Sequence, residues 1–280
     1  MTNVLREIVR SGYPVVTPFA RDLYRLKYFV TFSADAVLQG LKWYLGSREY
    51  TNFTYSISEK SKKYLAALLA NVFRVPLDRV SGYFEELEGD HELRDFLRRQ
   101  VRQSRERYFA DLPIKYGRRV GWYAIVRLLR PRVVVESGVD RGVGTCVLAA
   151  ALLRNGQEGA AGQVFGLDID PLAGSYVAGP YEDVVHLIHG DSLTFLDAMT
   201  QDVDVFIHDS DHSPVHETAE YESVFVRLSP QGVLVTDNGE LTDCLFEFAR
   251  RNVLSFWHWR EEAIGHIYRG GGIGLAMREA

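Results

Sequence analysis

The stretch Val133–Thr145 constrains the fold of this chain more than any other part of the sequence. Three consecutive valines lead into Glu136, and an apolar run, Cys146–Leu153, follows the stretch. Three glycines lie in between, Gly138, Gly142 and Gly144. A buried strand, a tight turn and a helix start bring backbone N–H groups close to a bound ligand. Because a carboxylate would repel a pyrophosphate, Glu136 at the strand end favours a ligand with a cationic or hydroxyl-bearing part.

The composition is that of an ordinary globular protein. The chain has 280 residues, of which 46% are hydrophobic and 25% charged, enough for one large domain or a domain with an extension. No run of about 18 apolar residues is present, so we expect no membrane span. The N-terminal residues lack an apolar secretory segment, and the two cysteines, Cys146 and Cys244, lie far apart in apolar contexts. These features predict a cytoplasmic protein with buried, reduced thiols.

Charge divides the chain into a basic and an acidic half. The net charge is −5, yet residues 1–130 carry 23 Lys and Arg against 14 Asp and Glu, and residues 131–280 carry 9 against 23. The halves therefore attract each other within one chain or across a dimer, and we expect a homo-oligomer. Residues 94–107 have the pattern of an amphipathic helix with a basic face. No nucleic acid partner is expected, because the acidic half would repel a phosphate backbone.

The pattern changes near residue 115, which predicts two parts. Residues 1–115 are expected to form a helical extension that acts as a substrate lid or in dimerisation, with Ser56 and Glu59 in a capping box. Its aromatic segment 50–55 could be core, a lid or an arm on a neighbouring subunit. Residues 116–280 alternate between strand and helix patterns, which predicts a parallel sheet covered on both faces, with ligands at the carboxyl ends of its strands. Five acids end or follow successive predicted strands, Glu136, Asp168, Asp191, Asp209 and Asp237.

Two of these acids suit the parts of an adenosine ligand. Asp168 lies 24 residues after Gly144, where a strand-end carboxylate accepts hydrogen bonds from both ribose hydroxyls. Asp191, next to Ser192, can accept from the exocyclic amine of adenine. A nicotinamide dinucleotide would favour Gly-x-Gly-x-x-Gly, whereas this turn reads Gly-x-x-x-Gly-x-Gly after Glu136. The pattern therefore indicates an adenosine with a cationic amino-acid tail, S-adenosylmethionine.

Four motifs together resemble those of class I S-adenosylmethionine-dependent methyltransferases. They are Glu136-x-Gly138-x-x-x-Gly142, Leu167-Asp168-Ile169-Asp170, Gly190-Asp191-Ser192 and the run Leu228–Asp237, in which Gln231 departs from the more usual glycine. The resemblance covers residues 116–280. It implies an α/β fold with a Rossmann-like class I methyltransferase sheet of seven strands, the last pair a hairpin, behind an N-terminal helical extension. The cofactor-binding residues that it implies are Glu136, Gly138, Gly142, Thr145, Asp168, Asp191, Ser192 and Asp209.

A fifth motif, Asp209-Ser-Asp-His212-Ser, resembles an element of metal-assisted small-molecule O-methyltransferases. This resemblance implies that Asp209, Asp237 and Asn238 bind a divalent cation such as Mg²⁺, which prefers carboxylate and amide oxygens. The cation would lower the pKa of a bound acceptor hydroxyl and align it with the methyl group. Asp209 and His212 are the implied catalytic residues, with the imidazole of His212 as the base.

Other interpretations of these residues stay open. Asp237 and Asn238 can begin a turn, and His212 can cap a helix. Arg118 or Arg119 could pair with the methionine carboxylate of the cofactor, or form a salt bridge to the acidic part of the chain. A hydrolytic dimetal site at residues 208–212 would leave the glycine turn without a role.

The predicted function is methyl transfer from S-adenosylmethionine to a hydroxyl of a small molecule, a sugar or a secondary metabolite, with assistance from Mg²⁺. The alternatives are a metal-independent N- or C-methyltransferase, a nicotinamide-dependent oxidoreductase and a non-catalytic cofactor-binding protein.

Overall fold

The structure, a computed structural model, describes residues 7, 10, 16–50 and 54–278. The chain divides into two compact units. The first runs up to Ser47 and includes Gly265–Ile267, and the second comprises Arg48–Ile264 and the chain from Tyr268. The predicted division after residue 115 follows a change of pattern, whereas packing places residues 48–115 in the unit that contains the sheet. Residues 51–53 of the aromatic segment lie outside the described residues.

The first unit consists mainly of one helix, α1 (Val16–Gly46). The ring of Trp43 lies 5.8 Å from that of His266 in a T-shaped contact within this unit. Several large apolar side chains of α1 are exposed, among them Phe32 and Leu45. Within the described part of the chain, no helix has both the length and the apolar character that a membrane crossing requires. The homo-oligomer stays a prediction.

A short strand and three helices precede the sheet in the second unit. They are β1 (Ser56–Ile57), α2 (Glu59–Val72), α3 (Leu77–Glu88) and α4 (His91–Gln103). Asp90 caps α4, because its carboxylate accepts a hydrogen bond from the backbone N–H of Leu93 at 2.8 Å. The basic residues 94–107 therefore fall largely on a helix, as their pattern predicts.

Seven strands form the central sheet, and the helices lie between them along the chain. The strands are β2 (Val133–Ser137), β3 (Gln163–Asp168), β4 (Val185–His189), β5 (Val203–His208), β6 (Leu228–Asp237), β7 (Ser255–Trp259) and β9 (Ile273–Met277), with the short β8 (Ala263–Ile264) outside the sheet. The helices are α5 (Arg119–Leu129), α6 (Val143–Gln157), α7 (Ser192–Ala198), α8 (Pro214–Phe225) and α9 (Cys244–Arg251), with a 3₁₀ turn at Gly179–Val184.

The strand order is β4-β3-β2-β5-β6-β9-β7. Strand β9 is antiparallel to both β6 and β7, and the other neighbours are parallel. This confirms the predicted seven-stranded Rossmann-like sheet whose last pair is an antiparallel hairpin. All five residues of β2 are buried, as expected for a central parallel strand covered on both faces.

Two apolar layers cover the faces of the sheet. On one face Trp122 of α5 and Leu148 of α6 belong to the larger cluster, and on the other Tyr221 of α8 and Phe248 of α9 belong to the smaller one. Burying a large apolar side chain stabilises a fold by about 1.5–3 kcal/mol, so these layers hold the strands in place. The rigid sheet then fixes the positions at which its loops begin.

The predicted capping box at Ser56 is wrong by two residues. Ser56 pairs with Ile264 in a two-stranded ribbon of β1 and β8, so it lies in a strand. Ser58 caps α2 instead, and its hydroxyl accepts from the backbone N–H of Ser61 at 3.1 Å. Ser56 fits the Ser-x-x-Glu pattern, whereas Ser58 is followed three residues later by Ser61, and the pairing of Ser56 with the distant strand β8 decides against the pattern.

Three strands end side by side at the carboxyl edge of the sheet. Ser137 at the end of β2 pairs with Leu167 on one side and with His208 on the other. The backbone N–H of Asp209 donates to the carbonyl of Ser137 at 2.8 Å, and that of Gly138 donates to the carbonyl of Leu167 at 2.8 Å. The loops after β2, β3 and β5 therefore begin next to one another.

Candidate active site

A cavity of about 850 Å³ lies at this carboxyl edge, within the second unit. Four of the five predicted strand-end acids line it, Glu136, Asp168, Asp191 and Asp209. The fifth, Asp237, is fully buried and is not among the lining residues. A cavity of this size accommodates a cofactor or a drug-sized ligand. Four of the acids that end successive strands therefore lie around one cavity, as the sequence predicts.

The turn after β2 approaches the loop after β5 very closely. Gly138 has a φ of +91°, a left-handed conformation that residues with a side chain disfavour. A Cβ at this position would overlap the backbone carbonyl of Asp209. Gly142, the residue before α6, also has a positive φ but does not line the cavity. Glycine at 138 therefore lets the two loops meet and keeps the cavity open above them.

The carboxylate of Asp168 organises the glycine turn. One of its oxygens accepts from the backbone N–H groups of Val139 at 2.9 Å and Asp140 at 2.8 Å. The other accepts from the N–H of Asp170 at 2.9 Å. Each carboxylate oxygen has two lone pairs, so acceptor capacity is left toward the cavity. Asp168 is thus placed to hold the turn and to accept from ligand hydroxyls.

Glu136 lies beneath the turn with its side chain buried. It accepts a hydrogen bond from the Thr145 hydroxyl at 2.6 Å, and Thr145 itself does not line the cavity. Burial raises the pKa of Glu136 to about 8, although the Thr145 hydrogen bond and the nearby charge of Arg119 act in the opposite direction. Thr145 therefore acts through Glu136, and Arg119 lines the cavity beside it.

Asp191 caps the helix that follows it. Its carboxylate accepts from the backbone N–H of Thr194 at 3.1 Å and from the Thr194 hydroxyl at 2.8 Å, and these hydrogen bonds lower its pKa. Ser192 is buried and donates to Glu220 of α8. Both residues line the cavity, so capping and ligand binding are compatible at Asp191.

The predicted metal ligands are already bound by a guanidinium group. Arg118 donates to both carboxylate oxygens of Asp237 and, at 3.0 Å, to the amide oxygen of Asn238. Asp209 faces Asp237, and burial together with the negative charge of Asp237 raises the pKa of Asp209 well above its ordinary value. Burial would raise the pKa of Asp237, but the charge of Arg118 and the hydrogen bonds from Arg118 and Asp209 together lower it. As arranged, these residues do not fit a divalent cation, because a second positive charge would have to approach oxygens that Arg118 occupies.

Three further residues complete the surroundings of Arg118. Glu261 accepts from Arg118 at 3.1 Å and from the Tyr55 hydroxyl at 2.8 Å. The Tyr268 hydroxyl lies 3.4 Å from Arg118 and donates to Asn238. Sequence reasoning assigned no role to Glu261 or Tyr268, which follow the weakly patterned strand β7. The aromatic segment 50–55 did point to Tyr55.

His212 lines the cavity near the end of this cluster. Its Nε2 lies 3.2 Å from the amide nitrogen of Asn238 and 3.9 Å from a carboxylate oxygen of Asp209. Burial, followed by the neighbouring His208, lowers the pKa of His212 below its ordinary value. The imidazole is therefore neutral near pH 7, which is the state that a general base requires.

A buried polar network lies behind His212. His208 Nδ1 lies 2.6 Å from a carboxylate oxygen of Glu220, which also accepts from the hydroxyls of Ser137 and Ser192. Burial would raise the pKa of Glu220, but these hydrogen bonds and the proximity of His208 lower it to about 2. The network fixes the loop after β5 against α8.

Three residues of types that can bind a metal ion lie together beside this network. Side-chain nitrogen or oxygen atoms of His208, His212 and Glu217 lie within 4.8 Å of one another. Both oxygens of Glu217 are already hydrogen-bonded, to the hydroxyls of Tyr221 at 2.7 Å and Thr242 at 2.6 Å. Asp211 accepts from the backbone N–H of Ser213 at 2.9 Å, and neither Asp209 nor Asp211 belongs to this group.

Residues 135–239 match the family model described as a methyltransferase domain. Residues 135–239 are thus similar to methyltransferase domains, and they lie on the seven-stranded Rossmann-like sheet. The match runs from β2 to the turn after β6, so it includes all five strand-end acids. The comparison with curated proteins finds no match.

Solved structures similar to this chain include three of low sequence identity. The O-methyltransferase TomG from Streptomyces achromogenes, in complex with SAM, is 17% identical, covers 66% of this chain and 90% of its own, and has a TM-score of 0.49. SAH-bound PaMTH1 from Podospora anserina is 15% identical, with coverages of 72% and 95% and a TM-score of 0.47. A methyltransferase from Geobacter sulfurreducens is 19% identical, with coverages of 56% and 76% and a TM-score of 0.44. These likenesses say nothing about the substrate.

Proposed function

We propose that this protein transfers the methyl group of S-adenosylmethionine to a hydroxyl of a small molecule, a sugar or a secondary metabolite. The observation that carries the proposal is one continuous cavity that joins the glycine turn and Asp168 to His212. A cofactor held by the turn and an acceptor beside His212 would share this space. A nicotinamide oxidoreductase would favour Gly-x-Gly-x-x-Gly, whereas the glycines of this turn are spaced Gly-x-x-x-Gly-x-Gly.

The residues of the turn fit S-adenosylmethionine. Asp168 has acceptor capacity for ribose hydroxyls, Gly138 leaves room above the turn, and Asp191 lines the same cavity, where it could accept from the adenine amine. Arg119 lines the cavity beside Glu136 and suits the carboxylate of the amino-acid tail. When bound, the cofactor supplies a sulfonium methyl group that an oxygen nucleophile can attack.

His212 would serve as the base in this reaction. The glycine turn and Asp168 would hold the cofactor, which would supply the methyl group to the acceptor oxygen and keep the electron pair of the carbon–sulfur bond on sulfur. The hydroxyl proton moves to the neutral imidazole of His212. The carboxyl of Asp209 lies 3.9 Å from His212 Nε2, and its raised pKa makes it a neutral neighbour of the imidazolium that forms, not its counter-charge. Since the predicted metal ligands do not fit a divalent cation, no step here uses one.

Calorimetric titration with S-adenosylhomocysteine tests the cofactor half of the proposal. We expect binding by the unaltered protein and a loss of about tenfold or more in Asp168→Ala, because hydrogen bonds to a charged group contribute about 1.5–3 kcal/mol. Asp204→Ala is the matched control, because the carboxylate of Asp204 also accepts from two backbone N–H groups, those of Arg132 and Val133, but does not line this cavity. An unaltered protein that releases no heat with this ligand would contradict the proposal.

Formation of S-adenosylhomocysteine in the presence of a panel of hydroxyl compounds tests the acceptor half. For an accepted compound, His212→Gln should lower turnover by about 10²–10⁴-fold while the affinity for S-adenosylhomocysteine stays the same. His186→Gln is the control, because His186 is an exposed histidine of β4 that does not line the cavity. Equal turnover in both variants would rule out the base.

A further inference from the structure

Arg118 is the centre of a buried ionic cluster that the methyltransferase resemblance does not foresee. Its side chain is 10% exposed, and those of its partners Asp237 and Glu261 are 0% exposed. The guanidinium grips Asp237 with two N–H groups, which is the strongest geometry for an arginine–carboxylate pair. Breaking such a buried pair is costly, because it leaves an uncompensated charge out of water.

The oxygens bound by Arg118 are those that the resemblance assigned to a divalent cation. Arg118 contacts both oxygens of Asp237 and the amide oxygen of Asn238. A divalent cation at these atoms would have to displace the guanidinium group. Glu261 alone would then have to compensate the positive charge of Arg118. A hard cation also keeps coordination positions open for substrate. Here the Arg118 N–H groups occupy the space beside the Asp237 and Asn238 oxygens in which such a cation would lie.

We propose that Arg118 takes the place of the divalent cation, so that methyl transfer at this site requires no metal; the part that concerns transfer rests on the proposed function. Arg118 supplies the fixed positive charge that the carboxylates need. It is a positioning residue, since its contacts are to protein side chains. Unlike a bound ion, it cannot dissociate, so the site is insensitive to chelators.

Arg118 also orients the amide of Asn238 toward the base. The Arg118 N–H and the Tyr268 hydroxyl both donate to the Asn238 oxygen, which directs the amide nitrogen away from them. That nitrogen lies 3.2 Å from His212 Nε2, so Nε2 is the unprotonated ring nitrogen, and an acceptor hydroxyl would replace Asn238 as the donor to its lone pair. A cation bound to the Asn238 oxygen could impose the same orientation, and here the guanidinium does so.

Binding of Mn²⁺, measured by electron paramagnetic resonance, tests the proposal without any acceptor. The measured quantity is the binding that Asp237→Asn removes, and binding that survives this substitution belongs to another site and is subtracted. We expect none in the unaltered protein. Arg118→Met should acquire Asp237-dependent Mn²⁺ binding, because the substitution frees Asp209, Asp237 and Asn238 as oxygen ligands. Its Mn²⁺ affinity should exceed the weakest affinity that the measurement detects by about tenfold or more. Asp237-dependent Mn²⁺ binding at micromolar concentration by the unaltered protein would overturn the proposal.

The measurement on the unaltered protein decides the matter even if Arg118→Met does not fold. Arg118→Lys then provides the second variant, since it keeps a positive charge and should not acquire the Mn²⁺ site. Titration of the same samples with S-adenosylhomocysteine separates the two proposals. If the unaltered protein bound neither S-adenosylhomocysteine nor Mn²⁺, the result would contradict the proposed function and leave the proposal about Arg118 and the cation site standing. Once an acceptor is found, turnover in the presence of a chelator should be unchanged, and turnover abolished by the chelator and restored by Mg²⁺ would overturn the metal-free reaction.

Discussion

The two ends of the cavity are held by different interactions, backbone hydrogen bonds at one end and buried ion pairs at the other. At the cofactor end, backbone N–H groups of the glycine turn hydrogen-bond to Asp168, and the partners come from two adjacent strand ends. At the acceptor end, Arg118 joins Asp237 and Glu261, which are 119 and 143 residues away in sequence. The first end depends on local spacing and on space for the backbone. The second depends on charges that compensate each other only in the folded chain, so the ends should respond differently to substitution.

The largest expected effect is at the acceptor end. Glu261→Ala should lower the free energy of unfolding by about 3–5 kcal/mol, because it removes one carboxylate from a buried ionic cluster and a hydrogen-bond acceptor from Tyr55. If the two ends are built separately, the variant that remains folded should keep its affinity for S-adenosylhomocysteine. Chemical denaturation and calorimetric titration measure the two quantities.

The neighbouring residue provides the control for this substitution. Glu262 pairs with Lys60 through side chains that are 52% and 61% exposed. Exposed ion pairs contribute about 0–1 kcal/mol, so Glu262→Ala should be nearly neutral. A similar loss in both variants would show that the Arg118 cluster adds no stability beyond that of a surface pair. A large loss of cofactor affinity in Glu261→Ala would show that the ends are coupled.

The next effect concerns the close approach at the cofactor end. Gly138→Ala places a methyl group against the Asp209 carbonyl, in a conformation with positive φ. We expect a loss of about 3 kcal/mol in unfolding free energy from overlap and strain together, and a loss of measurable S-adenosylhomocysteine binding. The same denaturation and titration experiments apply.

Gly159 separates strain from overlap. It has a similar φ of +86°, but nothing lies within 4 Å of a Cβ built there. Gly159→Ala should therefore cost about 1 kcal/mol and leave cofactor affinity intact. If the two alanine variants behaved alike, the meeting of the loops after β2 and β5 would have no special role in the site.

The cofactor end was accessible from the sequence because its signals are local. The valine run, the glycine spacing and the acids at strand ends each describe a short segment, and the alternation of strands and helices places the segments at one edge. The predicted sheet and the gathering of four strand-end acids follow from these patterns. Boundaries were less certain, as Ser56 shows, because a two-residue ribbon with β8 is a long-range contact.

The acceptor end was not accessible in the same way. Asp237 and Asn238 fit a metal site by type and spacing, and only the folded chain brings Arg118 onto their oxygens. A salt bridge from Arg118 to the acidic part of the chain was among the alternatives left open. The sequence did not indicate which acid would be the partner. Glu261 and Tyr268 lie between the two strands of the final hairpin, a region without a periodic pattern.

The last prediction tests whether Glu136 belongs to the cofactor end through its charge or only through its packing. Its pKa is about 8 in the folded protein, against an ordinary value of 4.5 that applies in the unfolded chain. Between these values the folded state holds a proton that the unfolded state has released. The contribution of Glu136 to stability is therefore fully present below pH 4.5 and is lost as the pH rises toward 8, on the order of 1 kcal/mol per pH unit.

The comparison of unaltered protein with Glu136→Gln isolates this effect, because glutamine keeps the shape of the side chain and does not titrate. Denaturation at several pH values between 5 and 8 should show a difference in unfolding free energy that changes steadily with pH in favour of Glu136→Gln. A constant difference would mean that the carboxyl is ionised throughout.

Titration with S-adenosylhomocysteine at pH 7 in buffers of different ionisation enthalpy then separates the two roles of Glu136. A proton released on binding indicates contact with the ammonium group of the ligand, since that charge favours the ionised carboxylate. Binding without proton release in the unaltered protein would limit Glu136 to ordering the turn through Thr145.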